Sequence, residues 1–111
     1  MTDAYVSHMT EPLVVTIPHQ LGHEEAVRRI KSGFGGAKEH FAHLVTISEE
    51  SWEENRLTFH ASALGQTASG VIDVRETTVL VSVQLSWLLA RFANAAAKII
   101  GQQGTLLLEK K

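Results

Sequence analysis

Leu57-Thr58-Phe59-His60-Ala61-Ser62-Ala63-Leu64, then Gly65-Gln66, then Thr67-Ala68-Ser69-Gly70-Val71-Ile72-Asp73-Val74 reads as two strands joined by a turn. Successive side chains of a strand point to opposite sides, so each segment has a core face and a wetter face. The connection is short enough for an antiparallel hairpin. Working outward, 45–53 and 78–85 have the same strand character, with turns at Glu54-Asn55 and at Arg75-Glu76-Thr77. In 78–85, Val79, Val81, Val83 and Leu85 share a face while Ser82 and Gln84 point away.

Further out lie a fifth strand and two helices. Leu13-Val14-Val15-Thr16-Ile17 is short, β-branched and closed by Pro18. From Gly22 the apolar residues Ala26, Ile30, Phe34, Ala37, Phe41 and Leu44 recur at helical spacing, and Glu24 and Glu25 sit in the first turn, where a helix dipole favours carboxylates. Gly33, Gly35 and Gly36 each weaken that helix by about 1 kcal/mol relative to alanine, which predicts a kink or a close approach. Ser86 serves as an N-cap for a second helix from Trp87 to about Gln103, with Leu88, Phe92, Ala95, Ile99 and Gln103 as its stripe and Gly101 and Gly104 as its stop. The order β-α-β-β-β-β-α predicts one α+β domain over 12–111, a five-stranded antiparallel sheet with two helices on one face. Residues 1–11 read as a disordered N-terminal extension.

Composition narrows the function classes. At 111 residues the chain suits one domain, and its formal charge of −2 is unlike the basic balance of a nucleic-acid binder. With no cysteine there is no disulfide and no thiol nucleophile. No apolar run approaches the roughly 20 residues that cross a bilayer, and the first ten residues lack the pattern of a secretion signal, so the expected location is cytoplasmic.

Candidate chemistry is sparse. His19 and His23 are separated by four, but Pro18 and Gly22 interrupt the stretch; His40 and His43 near the first helix's end lack a third ligand of matching spacing. No metal site or cofactor is expected. Glu49, Glu50, Glu53 and Glu54 bracket Trp52 and read as a solvated hairpin, with a partner-docking edge as the alternative. Gly33-Phe34-Gly35-Gly36 falls inside a helix instead of between a strand and a helix, so it makes no phosphate loop, and no Gly-x-Ser-x-Gly elbow occurs. No nucleophile, base and orienting group can be named together, so no catalytic residue and no enzyme is expected.

Two features point to binding. Ala61, Ala63, Ala68 and Gly70 make a floor of small side chains, expected to lie under the C-terminal helix or to leave a pocket between helix and sheet. The C-terminal quarter, 87–111, carries a net charge of +3 with Trp87, Phe92 and the run Leu106-Leu107-Leu108. Those leucines close onto the core, pair with another subunit in a homodimer, or touch an apolar surface.

Taken in order, Val14-Val15-Thr16-Ile17-Pro18-His19, Leu21-Gly22, Glu25-Ala26, Ser51-Trp52, Leu57-Thr58-Phe59, Ala63-Leu64-Gly65, Gly70, Asp73-Val74, Leu85-Ser86-Trp87-Leu88-Leu89 and Leu106-Leu107-Leu108 resemble the small bacterial family of polyhydroxyalkanoic acid system proteins. The likeness spans about 12–111, and Ser86 departs from it where proline is expected. The resemblance implies association with the bacterial storage polyester, its granule surface or a granule protein. It implies no reaction and supplies no catalytic residue. The strand order also looks like a reduced helix-grip fold, in which a curved sheet wraps a C-terminal helix and can hold an apolar ligand. Two functions follow as expectations: an accessory protein that binds the granule through the C-terminal helix and Leu106 to Leu108, or a carrier holding an acyl or hydroxyacyl chain between the small-residue floor and the helix bearing Phe92.

Overall fold

A computed structural model describes residues 12–109. The segment 1–11, read from sequence as an extension, lies outside the described residues. The elements are β1 (Leu13–Pro18), α1 (Gly22–His40), β2 (Val45–Glu53), β3 (Arg56–Ala63), β4 (Gln66–Val74), β5 (Thr78–Leu85), a 3-10 turn (Leu89–Phe92) and α2 (Ala93–Leu107). All strand pairs are antiparallel, in the order β1-β5-β4-β3-β2. β1 and β2 thus form opposite edges, and α1 crosses the sheet between them. This is the α+β architecture expected from the sequence.

Alternation fixes which face is covered. Leu57 and Val79 are fully buried, and Ile17, Ile72, Val74, Val81 and Val83 join them in one core. Burying each such side chain stabilises the fold by about 1.5–3 kcal/mol relative to leaving it in water. A register shift between Ile47 and Glu49 lets Ile47 oppose Ala61 and Trp52 oppose Leu57. Odd- and even-numbered residues of β2 therefore serve the same face, because a bulge inserts one extra residue. Trp52 is half-buried with Lys31 Nζ 5.1 Å from its ring centroid, and Lys38 pairs with Glu50 at 2.5 Å. In the hairpin read as solvated, Glu49, Glu50, Glu53 and Glu54 are exposed, and Trp52 alone is tucked towards α1.

The β3–β4 turn centres on Leu64-Gly65, one residue earlier than the sequence suggests. Both residues have positive φ, 56° and 72°. Tight hairpins need such backbone because it matches the twist of the flanking strands. Gly65 adopts it freely, whereas Leu64 is an L-residue in the left-handed region.

The junction of β1 and α1 is tied to the β4–β5 turn. Buried His19 faces the Arg75 carbonyl through Nε2 at 3.0 Å, and its Nδ1 accepts from the Leu21 N–H at 3.1 Å. His23 pairs with Glu76 at 2.7 Å. These two histidines therefore hold the junction and do not converge on one site.

α1 ends at His40 and is followed by a turn, so Phe41 and Leu44 leave the helical stripe predicted for them. α2 differs more from expectation. Ser86 Oγ accepts from Leu89 N–H at 3.3 Å, but the 3-10 turn that follows is capped at Leu88 and the α-helix at Phe92, so Ser86 is the N-cap of neither. The α-helix begins only at Ala93 and runs through Gly101 and Gly104 to Leu107. Those glycines are packing positions: a Cβ on Gly104 would collide with the side chain of Ile17, and one on Gly101 would lie 3.9 Å from Val15. α2 therefore packs chiefly along β1, while α1 covers β2 and β4.

Candidate functional site

The floor residues come together as the sequence implies, but their cover differs. Ala61 pairs with Ala68 across β3 and β4, and Phe59 pairs with Gly70. The Phe59 ring occupies the space above Gly70 so closely that a Cβ there would overlap it. A cross-strand ring shielding a glycine is a compact way to seal a sheet. Phe34 of α1 then lies against Phe59 with ring centroids 5.2 Å apart. The centre of the sheet is thus sealed by Phe59 and α1, and not by the C-terminal helix.

Phe92 does not face the floor. It is 50% exposed, and Trp87, Ile99 and Leu106 are 78%, 49% and 60% exposed. Phe92, Ile99 and Leu106 recur every seven residues, close to two helical turns, so they share the outward face of the segment ending in α2. The sequence stripe through Leu88, Phe92, Ala95, Ile99 and Gln103 is rotated from the inner face. Leu89 is buried, Ile100 and Leu107 pack against the core, and Gly101 and Gly104 lie over Val15 and Ile17, where the lack of a side chain lets β1 approach.

The leucine run splits. Leu106 faces water, Leu107 is half-buried, and Leu108 is buried as the C-cap. A Cβ on Gly33 would meet Leu107 at 2.5 Å, so this glycine is where the two helices come close. Arg29 Nη1 donates to the carbonyls of Leu107 at 3.2 Å and Glu109 at 2.6 Å. A guanidinium on the free carbonyls of a helix C-terminus satisfies them and complements the dipole. Only Leu106 of the three remains free to touch a partner.

A second apolar feature lies beneath α1. Phe34, Ala37, Phe41, Val45 and Ile47, with Lys38 at the rim, line a cleft of about 130 Å³. Small-molecule sites usually span about 300–1,000 Å³. Among the described residues no group of three histidine, aspartate or glutamate side chains is placed to hold a metal ion, and no helix is long and apolar enough to cross a membrane.

A family model described as "Putative polyhydroxyalkanoic acid system protein" matches residues 13–107, from the first strand to the end of α2. The chain belongs to this family. No curated protein and no solved structure matches it significantly. Membership brings the chain into the polyhydroxyalkanoic acid system, and the family description names no reaction. Of the residues described above, Leu108 and Glu109 lie just beyond the matched region. No sequence signal marked Leu64, Leu44 or Phe41 as surface residues; their exposure emerges only from the fold.

Proposed function

We propose that the protein is a non-enzymatic accessory of the polyhydroxyalkanoate storage system, acting in the cytoplasm at storage granules. It binds the granule surface or a granule protein through the outward face of the C-terminal segment. The observation that carries this reading is the exposed row Phe92, Ile99 and Leu106, with Trp87 beside its start. An outward helical row of this kind serves interaction better than stability, since each member leaves apolar area in water.

The alternative, an acyl or hydroxyacyl carrier, draws less support. Phe92 is half exposed, and Phe59 already covers Gly70. A carrier would have to use the smaller cleft under α1 instead.

Fractionation of polymer-filled cells tests the primary reading. The wild-type chain is expected with the granules, and Ile99→Ser combined with Leu106→Ser is expected to shift it to the soluble fraction while leaving its thermal unfolding nearly unchanged. A wild-type chain that stays soluble in such cells sinks the proposal.

A further inference from the structure

The exposed apolar side chains are not scattered. Eight large ones are exposed among the described residues: Val14, Phe41, Leu44, Leu64, Trp87, Phe92, Ile99 and Leu106. The topology places Phe41, Leu44, Leu64, Trp87 and Phe92 at one end of the sheet. Leu64 is in the β3–β4 turn, and Leu44 immediately precedes Val45, the partner of Ala63. Phe41 accepts the Val45 N–H at 2.8 Å through its carbonyl, and Trp87 and Phe92 follow the end of β5 at the same side.

Leu64 breaks two local rules at once. It is 67% exposed and has a φ of 56°. Asparagine or glycine would suit that backbone better, and a polar residue would suit that exposure better. Residues that violate local preference in an otherwise consistent fold concentrate at functional positions.

Net charge differs along the same axis. Glu24, Glu25, Glu53, Glu54, Asp73 and Glu76 occupy the start of α1, the β2–β3 turn, the end of β4 and the β4–β5 turn, all at the opposite end of the sheet, where Arg28, Arg29, Arg56 and Arg75 offset part of them through pairs with Glu25 and Asp73. At the apolar end Glu39 is the one acidic side chain on the adjoining last turn of α1, beside Lys38 and His40, with His43 and Arg91 nearby in sequence. From Thr77 to Leu108 the chain has Arg91 and Lys98 and no carboxylate.

We infer that this end of the sheet docks onto a lipid interface bearing anionic headgroups, with the acidic end held away from it. The inference rests on the surface-binding reading above, shares Trp87 and Phe92 with it and adds the β3–β4 turn, while Leu106, beyond the contact of Gly104 with Ile17, lies towards the other end. A fluid interface accommodates this set because the side chains come as separate tips from three segments, offering neither a groove nor a single stripe. Trp87 beside Arg91 has the composition that favours the boundary between headgroups and acyl chains. Self-association through the same end is disfavoured, since two copies would bring their Arg91 side chains together with few carboxylates to pair them.

The test is flotation of the full chain with vesicles of phosphatidylcholine alone or mixed with phosphatidylglycerol, at low and high salt, following Trp87 emission, with polyester particles in parallel. Leu64→Asn keeps a residue that tolerates the left-handed backbone and removes the apolar tip, so it retains the fold. The expected result is salt-sensitive binding to the anionic vesicles with a blue shift. Leu64→Asn should weaken it roughly tenfold, as loss of a buried leucine implies, and Arg91→Gln roughly fivefold. Equal binding to neutral and anionic vesicles overturns the inference, as does a stable dimer lost in Leu64→Asn. Binding to polyester particles alone, unaffected by Leu64→Asn, overturns it while leaving the proposed function standing. Binding to none of these, together with absence from granules in cells, removes both.

Discussion

α1 presents Arg28, Lys31 and Lys38 to solvent, and each has a neighbour: Glu25, the Trp52 ring and Glu50. α2 and the turn before it present Phe92, Ile99 and Leu106 instead, while Ile100 and Leu107 pack against the core beside Gly101 and Gly104. Both helices lie on the same face of one sheet, so burial alone does not explain the contrast. α1 spends its large apolar residues, Ile30 and Phe34, on the core and Phe59. α2 reaches the core through Ile100 and Leu107, with glycines at its closest contacts, and still leaves Ile99 and Leu106 outside. Its apolar residues exceed what packing on the sheet uses, which is why the outer face of α2 reads as a surface for something else.

The contrast can be tested glycine by glycine. Gly104→Val drives a branched side chain into buried Ile17 and should cost about 1–3 kcal/mol, as overpacking of a filled contact does, read as a lower denaturant midpoint with the slope retained. If that variant were as stable as wild type, α2 would not be seated on β1 as described. Gly36→Ala on α1 has the opposite sign, because nothing lies within 4 Å of the added Cβ. It should raise stability by about 0.5–1 kcal/mol through helix propensity and a less flexible unfolded chain. Destabilisation there would mean that the outer side of α1 is also a contact surface.

The smallest effect comes from the ion pairs of α1. Hydrogen bonds from Arg28 and then Arg29 lower the Glu25 carboxyl from 4.5 to about 2. Its folded value lies below its unfolded one, so its contribution is complete above about pH 4.5 and disappears as pH falls towards 2. The group is solvent-exposed, so screening keeps the effect modest. Comparing the acid unfolding of wild type with Glu25→Gln should therefore show a difference at pH 6 that shrinks to nothing near pH 2. A difference that persists unchanged at the acid end would assign the stabilisation to something other than the carboxylate charge.

Much of the fold was legible because the relevant signals are local. Val79, Val81 and Val83 alternate with polar or outward positions, short turns separate the strands, and β5 matches its predicted limits at Thr78–Leu85. The bulge between Ile47 and Glu49 was not legible, since it changes which residues of β2 face inward without leaving a glycine or proline as a mark. The Leu64-Gly65 turn was displaced by one residue because leucine is a poor sign of left-handed backbone. Among candidate site residues, Trp87, Phe92 and Leu106 are exposed, Leu107 is half-buried and Leu108 is buried, a division that a run of three identical side chains does not display in sequence.

The sequence by itself determined the element order, the antiparallel meander and the family, since alternation, helical spacing and turn residues act over a few positions. Only the tertiary structure decided which side of α2 faces the sheet. Around Leu88-Leu89-Ala90 and Ala95-Ala96-Ala97-Lys98-Ile99-Ile100 the helix is apolar on more than one side, so two stripes compete and periodicity cannot rank them. Close packing against β1 ranks them: Ile17 and Val15 leave room only for Gly104 and Gly101, which turns Ile100 and Leu107 to the core and Ile99 and Leu106 to the outside.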